Sequence, residues 1–515
     1  MIAPYLKVPH YGALPLYIPL FVLSVTCKIF IFLKLCYLRR QTLSSVPGPK
    51  WASWTRFWII RILASGNCAE KFVDINKRYG SLARIGPKHL LTSDPALIHR
   101  ILGVRSGYTR GPWFDSLRID PHSPNVVSER NEENHKRLRY KLSACYKSES
   151  VNAMEPMIDE QIVNWIYRAK NDWISEPSRA RPFDIGKRIQ FLTVDIITKI
   201  CLGTALGCVA SDSDKYKFLE TVERGSSVCQ YFSVLLEFNS LLYYLTKIPI
   251  LGPRLIPQAS DASGIGRIMG IVRSAIDQHT PASTNNDSGM LGSFLEKGVP
   301  RVDAEMAVTL VAGADTTSTA LQSTLLAIIS NPQVYQNLKE EIRTAVDSNI
   351  VSFPIQDMEA KRLGYLQACI FEGLRKFPPI GQLRERIVPP EGDEIQGHRI
   401  PGGTFIGINA WGTQLDESYG DDPEIFRPER WLIKDQSQLR AMFQTHELIF
   451  SYGSSKCLGM PIAMMELSKM IFELLRHFDI AIANPYKPWT SLCYGIFFQK
   501  DFNVYLNQAK WDVNP

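Results

Sequence analysis

Apolar residues recur with a helical period over 156–170, 185–202, 213–245, 303–330, 333–347 and 359–376. Strand-like runs are short and confined to 81–92, 383–388, 394–399 and 403–408, the last three joined by Pro/Gly turns. The expected class is mainly α with small β-sheets. No internal repeat or low-complexity tract interrupts the chain after residue 51, so 51–515 reads as one domain. The polar stretch Pro281–Ser288 reads as an exposed loop.

The N-terminus has a different texture. Leu14 to Leu38 is apolar apart from Lys28 and Lys34 and is long enough for the ~20 residues that cross a bilayer as a helix. Arg39, Arg40, Lys50, Arg56 and Arg61 follow it, whereas only Lys7 precedes it. That asymmetry places the bulk of the chain in the cytosol. A cleaved signal peptide is disfavoured by the length of the run and by the lack of an A-x-A-like cleavage site; a buried core helix is the third alternative. The expectation is a single-pass anchor over 1–40 in the endoplasmic reticulum membrane and a stiff hinge over 41–50 built on Pro47-Gly48-Pro49.

Composition narrows the classes. Hydrophobic residues at 45% and charged residues at 21% suit a folded chain with a sizeable core. The net charge, 58 − 51 = +7, is a mild excess over 515 residues. No basic stripe with interleaved aromatics accompanies it, which argues against nucleic acid as a partner. Ten cysteines are scattered without a C-x-x-C pair, against a disulfide scaffold or a zinc site. Most read as small buried residues.

Cys457 needs its own account. It lies in Phe450-Ser-Tyr-Gly453-Ser-Ser-Lys456-Cys457-Leu-Gly459, directly before a helical stretch. Unpaired N–H groups and the positive end of a helix favour thiolate over thiol. Gly453 and Gly459 allow close approach of a flat ligand, and Phe450 offers an aromatic wall. A second patch, Ala312-Gly-Ala-Asp315-Thr316-Thr317, puts an acid and hydroxyls inside an otherwise apolar helix, at a cost in helix stability. The Thr316 hydroxyl can bond back to the Ala312 carbonyl or open the helix, and Asp315 can feed protons inward. Glu372 and Arg375 share a helix face by their i, i+3 spacing, upstream of Phe426-Arg-Pro-Glu-Arg430-Trp. His135 and Arg139 lie one turn apart, and Arg386 begins a strand-like segment.

In this order and at these separations the motifs resemble the cytochrome P450 family over about residues 47–510. The Cys457 segment is similar to the family's F-x-x-G-x-R-x-C-x-G loop, except that Ser455 replaces the usual arginine. The resemblance implies haem b with Cys457 as the axial iron ligand, and Phe450, Gly453, His135, Arg139, Arg386 and Lys456 around the cofactor, Lys456 substituting for the missing arginine. It implies oxygen activation by Asp315 and Thr316 and a structural triad of Glu372, Arg375 and Arg430. It further implies a monooxygenase using O2 and NADPH-derived electrons. No G-x-G-x-x-G fingerprint is present, so the expected donor is a separate NADPH-cytochrome P450 reductase, with cytochrome b5 as an accessory. Substrate walls are expected from 110–128, 225–250, the turn at Ala312, 379–384 and 493–498, around a lipophilic small molecule. Within the family the tail sequence PIAMMELSKMIFELLRHFDI resembles fungal microsomal enzymes of secondary metabolism, the pisatin-demethylase-like group, so the expected reaction is a hydroxylation or related oxidation in the biosynthesis of a terpenoid, polyketide or alkaloid. Two rivals stand: a non-oxygenating haem-thiolate isomerase or dehydratase, against which Asp315-Thr316 argues, and a non-catalytic haem-binding membrane protein, which Ser455 favours slightly.

Overall fold

The computed structural model describes residues 42–175, 180–279 and 285–509. The expected anchor over 1–40 lies outside them. Among the described residues no helix is long and apolar enough to cross a membrane.

The helices that matter for the site are α1 (Cys68–Tyr79), α2 (Glu132–Leu142), α3 (Ile185–Leu202), α4 (Phe218–Val234), α5 (Val302–Ile329), α6 (Gly364–Lys376) and α7 (Met460–His477). Their ends follow local chemistry. Asp184 caps α3 by accepting from the Lys187 N–H, and Gly203 closes it in the left-handed region. Asn131 caps α2 in the same way through the Asn134 N–H. At the end of α5 the Asn331 side chain donates to the Ala327 carbonyl and Pro332 begins the next helix. The main core lies where α3, α5, α6 and α7 meet, with Ile189, Ile200, Leu321, Leu325, Ile370, Leu467 and Ile471 fully buried.

Among the described residues twelve short strands flank this helical body: β1 (Leu82–Arg84), β2 (His89–Thr92), β3 (Thr109–Arg110), β4 (Phe183–Asp184), β5 (Arg386–Ile387), β6 (Asp393–Ile395), β7 (His398–Ile400), β8 (Phe405–Ile408), β9 (Phe478–Ile482), β10 (Thr490–Cys493), β11 (Phe497–Lys500) and β12 (Asn503–Gln508). The largest sheet has the order β1-β2-β8-β5-β3; only the β2–β8 pair is parallel. It joins residues 82–110 to 386–408 and so carries two distant stretches to the same cavity rim.

The hinge segment is docked on this sheet. The Pro47 carbonyl accepts from the Arg84 N–H at 2.7 Å, and Leu43 and Val46 are buried beside Leu82 and Leu90.

Several element boundaries differ from the periodicity. The 156–170 helix begins at Ser148, because Pro156 is tolerated inside it rather than opening it. The 213–245 stretch breaks at Leu235 (φ −89°, ψ 68°) into α4 and Leu236–Leu245. Apolar residues continue across the break, so periodicity does not reveal it. The 359–376 stretch is the short turn Asp357–Ala360 followed by α6. What reads as one strand over 394–399 is the β6–β7 hairpin, turned at Gln396 (φ 51°) and Gly397 (φ 76°). The polar stretch 281–288 falls outside the described residues up to 284, and the chain is helical over Asn285–Glu296 apart from a kink at Gly289 (φ 55°, ψ −147°).

Candidate active site

The cavity between α5 and the α7 loop has a volume of about 340 Å³. One wall is the α5 turn Val308–Thr317; the facing wall is Ile449–Leu467 with Cys457.

The cysteine loop is built by backbone bonds. The Cys457 N–H donates to the Phe450 carbonyl at 2.7 Å and the Lys456 N–H to the Gly453 carbonyl at 3.2 Å. Gly453 has φ +60°, and a Cβ there would lie 2.2 Å from the Leu102 carbonyl oxygen, so only glycine fits. α7 starts three residues after Cys457, whose thiol is open to the cavity. Burial pushes the thiol up, while the N–H groups of Gly459 and Met460 and the nearby Arg139 pull it down. These are the groups that would steady a negative sulfur.

On the opposite wall α5 is continuous. The Thr316 hydroxyl donates to the Ala312 carbonyl at 2.9 Å, the first of the two arrangements expected from its position. Gly313 brings α5 against α3, since a Cβ there would meet Ile197 Cδ1 at 2.6 Å. Asp315 is buried behind the cavity wall with Oδ2 unpartnered. Burial, with Glu223 and Asp214 adding to it, pushes its carboxyl up to about 7. Asp315 therefore changes protonation near neutrality, on the side of α5 that looks toward Glu223 and its partner Lys500.

A cluster of arginines forms the rim. Arg110 on β3 and Arg386 on β5 are direct antiparallel partners. Like charges set opposite one another destabilise a sheet, and each of these two is bonded to neutral acceptors. Arg110 donates to the carbonyls of Val126, Val127 and Glu129, to His135 Nε2 at 2.8 Å and to Ser455 Oγ at 3.2 Å. Arg386 donates to the Arg384 and Glu385 carbonyls and to Ser455 Oγ at 2.8 Å. Arg139 donates to the Lys456 carbonyl at 2.5 Å, and Arg384 leaves Nε unpaired. Burial first, then neighbouring arginines, lowers Arg386 to about 9; burial lowers Arg384 to about 10. Because His135 Nε2 accepts from Arg110, its proton sits on Nδ1, which has no partner. Burial and the arginines push His135 down to about 3, so it is neutral.

Buried cations without anions are costly. A cofactor carrying carboxylates would satisfy four guanidiniums and the Nδ1–H together, so these residues fit haem. Lys456 does not join them: its ammonium is partly exposed, 3.9 Å from Glu447, and only the rest of the residue borders the cavity. The cations that meet Ser455 are Arg110 and Arg386. Arg110 and Arg384 were not signalled by any local motif; strand pairing across hundreds of residues brings Arg110 in.

Glu372, Arg375 and Arg430 meet behind the cysteine loop, all nearly inaccessible to solvent. Arg375 makes a bidentate pair with Glu372 at 2.7 and 2.8 Å, and Arg430 Nε reaches Glu372 Oε1 at 2.9 Å. Trp431 Nε1–H and the Arg427 N–H also donate to the Glu372 carboxylate. Burial alone would raise Glu372; Arg375 and Arg430 override it and hold the carboxyl below its usual range.

Of the expected walls, 110–128, the Ala312 turn and 379–384 line the cavity through Trp113, Phe114, Leu117, Ala312, Ile380 and Gln382. Residues 225–250 and 493–498 contribute no lining side chain. The second of these stretches stands one layer behind, where Ile496 bridges Ile380.

A thiol at the head of a helix, a hydroxyl-bearing helix across an apolar cavity and a rim of unneutralised arginines are the marks of a haem-thiolate enzyme. The chain belongs to the cytochrome P450 family, whose sequence profile matches residues 45–505, and it is a P450 monooxygenase. It is 34% identical to cytochrome P450 monooxygenase ABA1 of Pyricularia oryzae over 475 residues, covering 90% of this chain and 91% of that one. It is 32% identical to cytochrome P450 monooxygenase aba1 of Botryotinia fuckeliana, over 91% and 92% of the two chains. Pisatin demethylase of Fusarium vanettenii is 27% identical over 88% and 87%. Family membership implies a haem cofactor, O2 and reductase-derived electrons.

Proposed function

We propose that this monooxygenase inserts one oxygen atom from O2 into a lipophilic small molecule of fungal secondary metabolism, while held on the endoplasmic reticulum membrane by residues 14–38 and supplied with electrons by an NADPH-dependent reductase. The observation that carries the substrate class is the cavity wall. Trp113, Phe114, Leu117, Ile197, Ile380 and Ala312 enclose the space near Thr316, and such a surface selects an apolar guest.

Haem, when bound, supplies the oxygen activation. The residues do the rest. Cys457 presents its sulfur at the head of α7, steadied by the Gly459 and Met460 N–H groups. Arg110, Arg139, Arg384, Arg386 and the His135 Nδ1–H hold carboxylates at the rim. Thr316 keeps a hydroxyl at the cavity wall, where it can donate to an oxygen once it lets go of Ala312. Asp315 Oδ2, poised near neutrality, takes a proton from the Glu223 side and returns it along α5. The apolar walls exclude bulk water from the guest.

The test is a panel of lipophilic terpenoids, polyketides and alkaloids, scored by shifts in the haem spectrum and then by turnover with NADPH and a P450 reductase. A hit gains one oxygen atom, labelled when the gas is ¹⁸O2. Label arriving from water instead would refute the proposal.

A further inference from the structure

Cys68 is the first residue of α1, and Cys493 is the last residue of β10. They are 425 positions apart, yet their sulfurs lie 3.4 Å from each other. The backbones are already paired: Asn67 and Cys493 form a parallel bridge, and the Cys493 N–H donates to the Gly66 carbonyl at 2.6 Å. Among the described residues no other two cysteine sulfurs touch. Both side chains are almost fully buried.

The two thiols are unequal. Cys68 has the N-terminus of a twelve-residue helix behind it, which favours thiolate. The hydrogen bond from Cys493 is the largest cause holding Cys68 below the ordinary thiol value. Cys493, buried and facing Cys68, is pushed well above that value. Of the two, Cys68 at the head of the helix is the better placed to carry the thiolate, with Cys493 3.4 Å away to hold the proton.

The pair also adjoins the cavity. A Cβ on Gly381 would stand 3.0 Å from Cys493 Sγ and 3.3 Å from Ala69 Cβ, and the neighbours Ile380 and Gln382 both line the cavity. Gly381, between two lining residues, packs directly on Cys493 Sγ. The Gly381 N–H donates to the Gly495 carbonyl at 2.8 Å, so the β10–β11 turn braces that wall from behind.

We propose that Cys68 and Cys493 are an oxidant-responsive dithiol: hydrogen peroxide closes them to a disulfide that staples the β10–β11 turn to α1 and stiffens the substrate wall. The Cys68 thiolate attacks a peroxide oxygen; the S–O bond forms, the O–O bond breaks, and the departing hydroxide leaves as water after protonation. Cys493 then loses its proton and attacks the Cys68 sulfur; the S–S bond forms, the S–O bond breaks and a second water leaves. Two thiols are oxidised and one peroxide is reduced. Peroxide released by wasted turnover is a local source, and that point rests on the monooxygenase reading; the chemistry of the pair does not.

The experiment therefore adds peroxide directly to the full-length, haem-loaded protein, without reductase or NADPH. Peptide mass mapping is expected to show a Cys68–Cys493 cross-linked peptide, lighter by two hydrogens, that dithiothreitol reverses and Cys493→Ser abolishes. Amide exchange over 490–497 is expected to slow on oxidation and recover on reduction. Cys68 that stays reduced or accumulates as sulfinic acid in the wild type overturns the proposal without recourse to a variant. A cross-link that leaves exchange over 490–497 unchanged overturns the staple.

Discussion

Ser455 stands where two guanidinium groups from opposite strands meet, and its small hydroxyl leaves room for both. A larger side chain there would displace one of them. The cations beside Ser455 therefore come from β3 and β5 rather than from the cysteine loop, and Lys456 points outward to Glu447. Hydrogen bonds to charged groups contribute about 1.5–3 kcal/mol each. Arg110→Leu is thus expected to speed haem loss by about ten- to hundredfold, measured by transfer to excess apomyoglobin, with the fold retained by circular dichroism. Lys456→Ala should leave that rate unchanged.

Glu372 supplies a second residue-level prediction. Removing one member of a buried charge network leaves the others unpaired, at a cost of about 3–5 kcal/mol. Glu372→Gln should lower stability by that amount in urea unfolding at pH 7. The sign of the pH effect follows from its folded carboxyl lying below the ordinary value. The stabilisation is full above the unfolded carboxyl value of about 4.3 and is lost as the pH falls through the lower folded value. Wild type and Glu372→Gln should converge in stability as the medium is acidified through that window.

At the scale of elements, α5 and α7 are the two faces of the site. The 185–202 and 303–330 periods coincide with α3 and α5 almost residue for residue, because long apolar-periodic helices that end at Gly203 and at Asn331-Pro332 announce themselves. The cysteine loop was legible from Phe450, the glycines and Cys457 at fixed spacing, and α6 from its apolar period, whose start falls five residues later than expected; the Glu372–Arg375 pair gained weight only from its order upstream of Arg430 and Cys457. Arg110 was not, since its meaning comes from pairing with Arg386 across the chain. The breaks at Leu235 and at Gln396-Gly397 were hidden as well, because a continuous apolar or polar run carries no mark of a local φ/ψ change. The intact α5 makes Thr316 an addition to a complete helix rather than a break in one. Thr316→Ala should therefore keep the helix and the haem spectrum while diverting NADPH electrons to peroxide. The ratio of product to NADPH consumed measures this, and unchanged coupling would refute a role for the hydroxyl.

For the whole molecule, the sheet β1-β2-β8-β5-β3 ties the first described residues to the cavity rim. Pro47 bonds to Arg84, and Leu43 and Val46 are packed beneath it. Any tether upstream of residue 42 thus reaches the catalytic body through a docked segment rather than a free linker. If 14–38 is the anchor, deleting residues 1–41 releases the protein into the supernatant of fractionated cells, with its haem spectrum retained. Continued sedimentation with membranes would refute an anchor in that stretch.

The monooxygenase chemistry depends on Cys457 as the iron's sulfur ligand. The direct measurement is the absorption spectrum of the reduced, carbon-monoxide-bound protein beside that of Cys457→Ala. The account predicts a Soret band red-shifted to the position of thiolate-ligated haem in the wild type and no such band in the variant. A red-shifted band that survives in Cys457→Ala would contradict it.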